Sequence, residues 1–269
     1  MTKAFAEVIG DPIAHSKSPT IHKFWLERLG LDFEYRATRV PPDGLAAHLA
    51  ERCGDPVWRG CNVTIPHKLA VLDHIADPGG VRDSIGAANT IFRSESGWAA
   101  TNTDAAGFFA PIASLDLASV PVAVIGTGGA AMAVLFALAR AGVGPVSLLA
   151  RNPLKAAGLL ARFGLKGEAL PLGAALPEAT LLVNASSLGM TGQPPLAIDL
   201  APLPDHAIVY DLVYAPLETP LLAAARRRGL DTVDGLEMLI GQAALAFELF
   251  FGKAPPRDAD DRLRAMLTA

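Results

Sequence analysis

Along this chain the spacing of hydrophobic and polar positions keeps switching between strand and helix periods. Residues 6–9 read as a short apolar strand, and residues 18–29 carry a helical pattern closed by Gly30. Residues 33–36 form a second strand, 45–52 a helix, 60–65 a third strand and 68–75 a further helix. Residues 88–93 and 98–101 pair as a hairpin around Ser94-Glu95-Ser96-Gly97. That order predicts an α/β first half.

The second half begins near Phe108. Val120-Pro121-Val122-Ala123-Val124-Ile125 is almost wholly apolar, the mark of a strand buried on both faces. It runs into Gly126-Thr127-Gly128-Gly129 and an alanine-rich helix over residues 130–141, closed by Gly142. Residues 146–150, 180–184 and 207–212 are the next strands, and 235–269 is mostly helical. Strand, glycine turn, helix, strand is a dinucleotide-binding unit, here in mid-chain. The fold expected is α/β with two domains: residues 1–107 with 238–269, and a Rossmann-type domain over 108–237. The C-terminal helices are expected to pack back on the first. The run Arg226-Arg227-Arg228 reads as a solvated helix end.

Composition narrows the partners. Hydrophobic residues make up 51% and charged residues 19% of the chain, which describes a core-rich globular protein. A net charge of -4 argues against nucleic acid or an anionic membrane as the main partner. Gly, Pro or Arg interrupts every apolar stretch before the roughly 20 residues a membrane span needs. The first ten residues lack a signal-peptide apolar region, so a cytoplasmic location is expected. Cys53 and Cys61 have no metal-ligand spacing, and no metal site is predicted.

The glycine turn is the first candidate site. Gly126, Gly128 and Gly129, with Ala130 at the helix start, bring backbone N–H groups within reach of a pyrophosphate, whose charge a helix N-terminus favours. A structural turn or another nucleotide-like ligand, such as a methyl donor, is the alternative. An NAD site usually places Asp or Glu about 20 residues beyond the glycines, on the ribose 2′-OH. Here that place reads Leu149-Ala150-Arg151-Asn152-Pro153-Leu154-Lys155, without a carboxylate. Arg151 can stack on adenine and contact a 2′-phosphate, and Lys155 adds a second cation one helical turn on. NADP is the expected cofactor.

Four polar clusters remain. In Asp11-Pro12-Ile13-Ala14-His15-Ser16-Lys17-Ser18-Pro19, an extended backbone would point the Ser16 and Ser18 hydroxyls the same way, while Ser18 before Pro19 could equally be a helix N-cap. Gly60-Cys61-Asn62-Val63-Thr64-Ile65-Pro66-His67-Lys68 places a lysine just past a strand end, where no core needs it and a helix N-terminus disfavours it. Gly86-Ala87-Ala88-Asn89-Thr90 and Thr101-Asn102-Thr103-Asp104 complete the set; Asp104 alone could be a helix cap.

Taken in order, these clusters resemble the shikimate dehydrogenase family over nearly the whole chain. The motifs are His15-Ser16-Lys17-Ser18-Pro19, residues 60–68, 85–90, Asn102-Thr103-Asp104, residues 126–133, Asn184-Ala185-Ser186-Ser187-Leu188-Gly189-Met190 and residues 234–242. The resemblance implies an enzyme that reversibly reduces 3-dehydroshikimate to shikimate with NADPH, in aromatic amino acid biosynthesis. It implies that Lys68 transfers the proton and that Asp104, beside it, holds the ammonium. It assigns Ser16, Ser18, Thr64, Asn89, Tyr214 and Gln242, with Lys68 and Asp104, to the substrate, and Leu212 and Gly235 to the nicotinamide. The first domain would be the substrate domain, with the site in a cleft that closes over both ligands. A monomer or homodimer acting on a small molecule is expected.

The chain departs from the family pattern where Lys23 follows His22, a place often held by Asn, and where Ala150 precedes Arg151. Two rivals stand beside this reading: a quinate/shikimate dehydrogenase using NAD, and a non-catalytic nucleotide-dependent sensor of the same fold.

Overall fold

A computed structural model describes residues 3–268. The chain divides into two compact units, Met1–Thr103 with Ile240–Ala269, and Asp104–Leu239.

The first unit holds β1 (Phe5–Gly10), α1 (Ser18–Arg28), β2 (Glu34–Arg39), α2 (Leu45–Cys53), β3 (Trp58–Val63), a short α3 (Val81–Ser84), β4 (Thr90–Ser94) and β5 (Gly97–Thr101). Its sheet runs β2-β1-β3-β4-β5; the first three strands are parallel, and β4 and β5 form an antiparallel hairpin. β1 has strands on both sides and is buried along all six residues, Glu7 included. That carboxylate is tolerated because Arg52 Nε (2.9 Å), His48 Nε2 (3.2 Å) and the Thr38 hydroxyl (2.5 Å) surround it. β2 lies at an edge, and Tyr35 is its one buried residue.

The second unit holds α4 (Asp104–Phe109), β6 (Val122–Ile125), α5 (Gly129–Ala141), β7 (Val146–Ala150), α6 (Pro153–Arg162), β8 (Gly167–Pro171), β9 (Leu181–Asn184), β10 (Ile208–Asp211), α7 (Pro220–Arg227) and β11 (Asp231–Val233). Its six strands are all parallel, in the order β11-β10-β9-β6-β7-β8. Read from β8 this is the doubly wound dinucleotide-binding order, with its switch point between β6 and β9. The helix after β6 packs closely because Ala131 and Ala133 are fully buried.

α8 (Gly235–Phe251) opens in the second unit, and from Ile240 onward it belongs to the first, as does α9 (Asp260–Thr268). Phe247, Phe250 and Phe251 gather around His22 on α1. Arg28 on α1 reaches both carboxylate oxygens of Asp258 at 3.1 and 2.9 Å, and Lys17 Nζ donates to the Leu267 carbonyl on α9. The C-terminal helices therefore pack back on the first unit, as expected.

Four local expectations fail. β3 stops at Val63, and residues 68–75 form a turn and one 3-10 helix, Ala70–Asp73, where an α-helix was expected. The Lys68 carbonyl that Leu72 N–H would need is taken by Ala88 N–H (2.7 Å), so Leu72 bonds back to Leu69 instead (3.3 Å). β8 and β11 were not anticipated; both are edge strands, largely exposed or half-buried, and lack an apolar run. Arg228 is not simply solvated, for its guanidinium donates to the Leu200 and Leu203 carbonyls.

Candidate functional site

In the first unit the predicted substrate residues collect at one edge of the sheet. β1 and β3 are parallel and end there, while the antiparallel β4 begins there. This is the carboxyl edge, where open α/β sheets place their ligands. The loop after β1 is tied to the loop after β3 by Asp11 N–H donating to Ile65 O (3.0 Å). Gly10 makes that approach possible, since a Cβ would lie 2.5 Å from the Thr64 methyl and 2.8 Å from Ile65 O. Thr64 is half-buried at this junction, and its carbonyl accepts from His67 N–H (2.9 Å). His67 is buried and its ring Nε2 lies 2.7 Å from Val40 O, which anchors the turn carrying half-buried Lys68.

The serine loop is turned, not extended, because Ser16 N–H donates to Ile13 O (3.0 Å). Ser18 is buried at the first position of α1 and is not its N-cap; that place falls to Lys17. The Ser16 hydroxyl accepts from Ser18 N–H at 3.3 Å.

Asn89 and Gln242 meet although 153 residues separate them: Asn89 Nδ2 donates to Gln242 Oε1 at 3.3 Å. Both are buried. Thr103 joins them, with its N–H donating to Asn89 Oδ1 (2.7 Å) and its hydroxyl lying 2.9 Å from Asn89 Nδ2. Asn62 and Thr90 extend this network along β3 and β4. Asn62, Thr90 and Thr103 lie in the polar clusters singled out in the sequence but were not among the residues assigned to the substrate. Their only signal was a polar side chain inside an otherwise apolar strand, or beside one.

In the second unit Asp104 is the first residue of α4 and only 4% exposed. Lys68 and Asp104 thus fall in different units. The β6–α5 turn has the form an anion site needs. Gly126 has φ +112, and a Cβ on it would lie 2.9 Å from Ala185 O after β9. Gly128 is the N-cap of α5 with no side-chain bond, and no acidic residue lies in the first turn. At the end of β7, Arg151 and Lys155 are exposed at the start of α6, whose N-cap Asn152 accepts from Lys155 N–H (3.1 Å). No carboxylate stands there to bind a ribose 2′-OH, so the donors fit a 2′-phosphate.

Leu212 and Gly235, predicted together, are together: a Cβ on Gly235 would lie 2.3 Å from Leu212 O. The segment carrying Leu212 and Tyr214 is held by an unanticipated buried carboxylate, Asp211. It accepts from Asn184 Nδ2 (2.8 Å), the Thr219 hydroxyl (2.6 Å) and Val213 N–H (3.1 Å). Burial pushes the Asp211 carboxyl up, and these three donors oppose the shift without cancelling it. Tyr214 is half-buried and burial raises its phenol.

Among the described residues no group of three or more His, Cys, Asp or Glu side chains could hold a metal ion. No helix among them is long and apolar enough to cross a membrane.

Known proteins resemble this chain over nearly its whole length. The profile described as "Shikimate dehydrogenase substrate binding domain" matches residues 8–91, and "Shikimate 5'-dehydrogenase C-terminal domain" matches 235–260. A curated relative from Sphingopyxis alaskensis, "Shikimate dehydrogenase (NADP(+))", is 68% identical over 98% of this chain and 97% of its own. The Thermus thermophilus shikimate 5-dehydrogenase, solved with NADP(H) and shikimate, superposes with a TM-score of 0.86 at 36% identity, covering 98% of this chain and 99% of that one. The ligand-free 5-ketofructose reductase of a Gluconobacter strain gives 0.85 at 28% identity, covering 100% and 98%.

Proposed function

The chain belongs to the shikimate dehydrogenase family, and from that premise we propose that it reversibly reduces 3-dehydroshikimate to shikimate with NADPH, a step of aromatic amino acid biosynthesis. The substrate domain is residues 1–107 with 238–269, and residues 108–237 bind the cofactor. The observation that carries the reading is the 68% identity across 98% of the chain, joined to a first unit whose predicted substrate residues line one sheet edge.

Reduction of a ketone adds a hydride to carbon and a proton to oxygen. Bound NADPH supplies the hydride. Lys68, on its turn past β3, gives the ketone oxygen a proton from Nζ and takes it back in the reverse direction. Asp104 is assigned to the same proton transfer. Ser16, Ser18, Thr64, Asn89, Tyr214 and Gln242 hold the ring acid by its carboxylate and hydroxyls. A site built from such fixed partners rejects an analogue lacking one hydroxyl strongly, because the abandoned donors and acceptors stay unpaired. Gly126, Gly128, Gly129 and Ala130 cradle the pyrophosphate, Arg151 and Lys155 the 2′-phosphate, and Leu212 and Gly235 the nicotinamide. The enzyme acts in the cytoplasm as a monomer or homodimer, with neither nucleic acid nor membrane as partner.

The test is turnover of shikimate followed by NADPH absorbance. Quinate, 5-ketofructose and NAD are the controls that separate this reading from its nearest relatives.

A further inference from the structure

Tyr35 is the one buried residue of edge strand β2. Its ring lies flat on that of His22, with centroids 3.9 Å apart and planes within 2°. His22 is fully buried, neither ring nitrogen has a hydrogen-bond partner, and burial lowers its pKa to about 3. The stack is therefore uncharged at any working pH. Nothing in this apolar setting calls for a hydroxyl on Tyr35, yet that hydroxyl makes a short bond, donating to Asn62 Oδ1 at 2.6 Å.

The bond has a direction that its surroundings enforce. Asn62 Nδ2 donates to Thr90 Oγ1 (3.2 Å) and Asn89 O (3.4 Å). Turning the amide round would set its oxygen against the Asn89 carbonyl, which already accepts from Val63 N–H (2.7 Å). Thr90, having accepted from Asn62, gives its own proton to Asn89 Oδ1 (3.1 Å). That oxygen also accepts from Thr103 N–H (2.7 Å), and with both donors on it Asn89 Nδ2 points toward Thr103 Oγ1 and Gln242 Oε1. Burial keeps the Tyr35 phenol well above its usual pKa, so the hydroxyl remains a donor throughout.

We propose that Tyr35 is a positioning residue for the substrate: its hydroxyl starts a one-way relay through Asn62 and Thr90 that orients the Asn89 and Gln242 amides for the ring acid. The inference rests on the assignment of Asn89 and Gln242 to the substrate. Tyr35 itself acts through these residues.

The test is Tyr35→Phe, which keeps the ring and its stack on His22, assayed alone and combined with Asn89→Ala. Losing one relay bond should raise the KM for shikimate roughly 3- to 10-fold. The KM for NADP and kcat should stay within about twofold, a split that general loosening of the fold does not produce. On the Asn89→Ala background the same change should add nothing, since the relay then ends on a missing side chain. An unchanged shikimate KM in Tyr35→Phe, or effects that multiply in the double variant, would overturn the inference while leaving the substrate assignment standing. An unchanged shikimate KM in Asn89→Ala alone would remove the assignment, and the inference with it. If Tyr35→Phe does not fold, Thr90→Val cuts the same relay one link on and must give the same selective rise.

Discussion

Gly235 opens α8 directly against the backbone leaving β10, and replacing it with alanine puts a methyl group where none fits. The new carbon would lie 2.3 Å from Leu212 O, 2.5 Å from Leu212 C and 2.7 Å from Val213 C. Ordinary contact begins at 3.4 Å, so one of the two backbones must move by about 1 Å. Leu212 is held by its N–H on Asn184 O (3.0 Å), and Val213 by its N–H on Asp211 (3.1 Å), so the first turn of α8 is the part that yields. Overpacking of this kind costs about 1–3 kcal/mol of stability. A 1 Å misplacement near the chemistry can cost about 100-fold in rate. Gly235→Ala is therefore expected to lower kcat/KM between roughly 10- and 100-fold, read by steady-state kinetics with both substrates varied. Urea unfolding should show the stability loss alongside. A variant within twofold of wild-type kcat/KM would refute the reasoning, even if its stability fell, because the Leu212–Gly235 contact would then not shape the nicotinamide site.

Lys68→Ala should lower kcat by orders of magnitude while shikimate binding, measured by calorimetry, changes only a few-fold; near wild-type turnover would remove the proton-transfer role. Arg151→Ala should raise the KM for NADP roughly 10- to 100-fold, the worth of a lost charge-assisted bond, and leave the KM for NAD unaltered. Equal effects on both cofactors would place Arg151 away from the 2′-phosphate. For Glu7, burial pushes the carboxyl up, but the His48 and Thr38 hydrogen bonds and the charges of His48 and Arg52 outweigh it and leave the pKa below its ordinary 4.5. A lowered pKa gives stability that is full above 4.5 and fades as pH falls through the folded value. Glu7→Gln should thus cost about 3–5 kcal/mol at pH 7 and much less in acid, by urea unfolding at both pH values. A cost that does not depend on pH would mean the Glu7 charge contributes nothing.

Much of this was legible in the sequence where local chemistry dictates the outcome. The β6–glycine–α5–β7 unit was readable because a strand buried on both faces is apolar throughout, and because Gly126 occupies a backbone region other residues avoid. Edge strands β8 and β11 were not, since one-sided exposure lets polar residues in and erases the period. The helix expected at 68–75 failed for a tertiary reason: Ala88 takes the Lys68 carbonyl, which no local pattern reveals. The serine cluster was recognised, but its backbone turns at Ala14-His15, so the two-residue spacing carried no information about side-chain direction. The links from Tyr35 to Asn62, from Asn89 to Gln242 and from Asp211 to Asn184 join residues 27, 153 and 27 positions apart. Topology makes them, and the sequence alone held only their polar ends.

The central claim is tested most directly by initial rates on shikimate with NADP and with NAD, following reduced cofactor by absorbance, with quinate in parallel. The account predicts shikimate oxidation with a catalytic efficiency at least about tenfold higher with NADP than with NAD. Equal use of the two cofactors, a preference for NAD, or turnover of quinate in place of shikimate would contradict it.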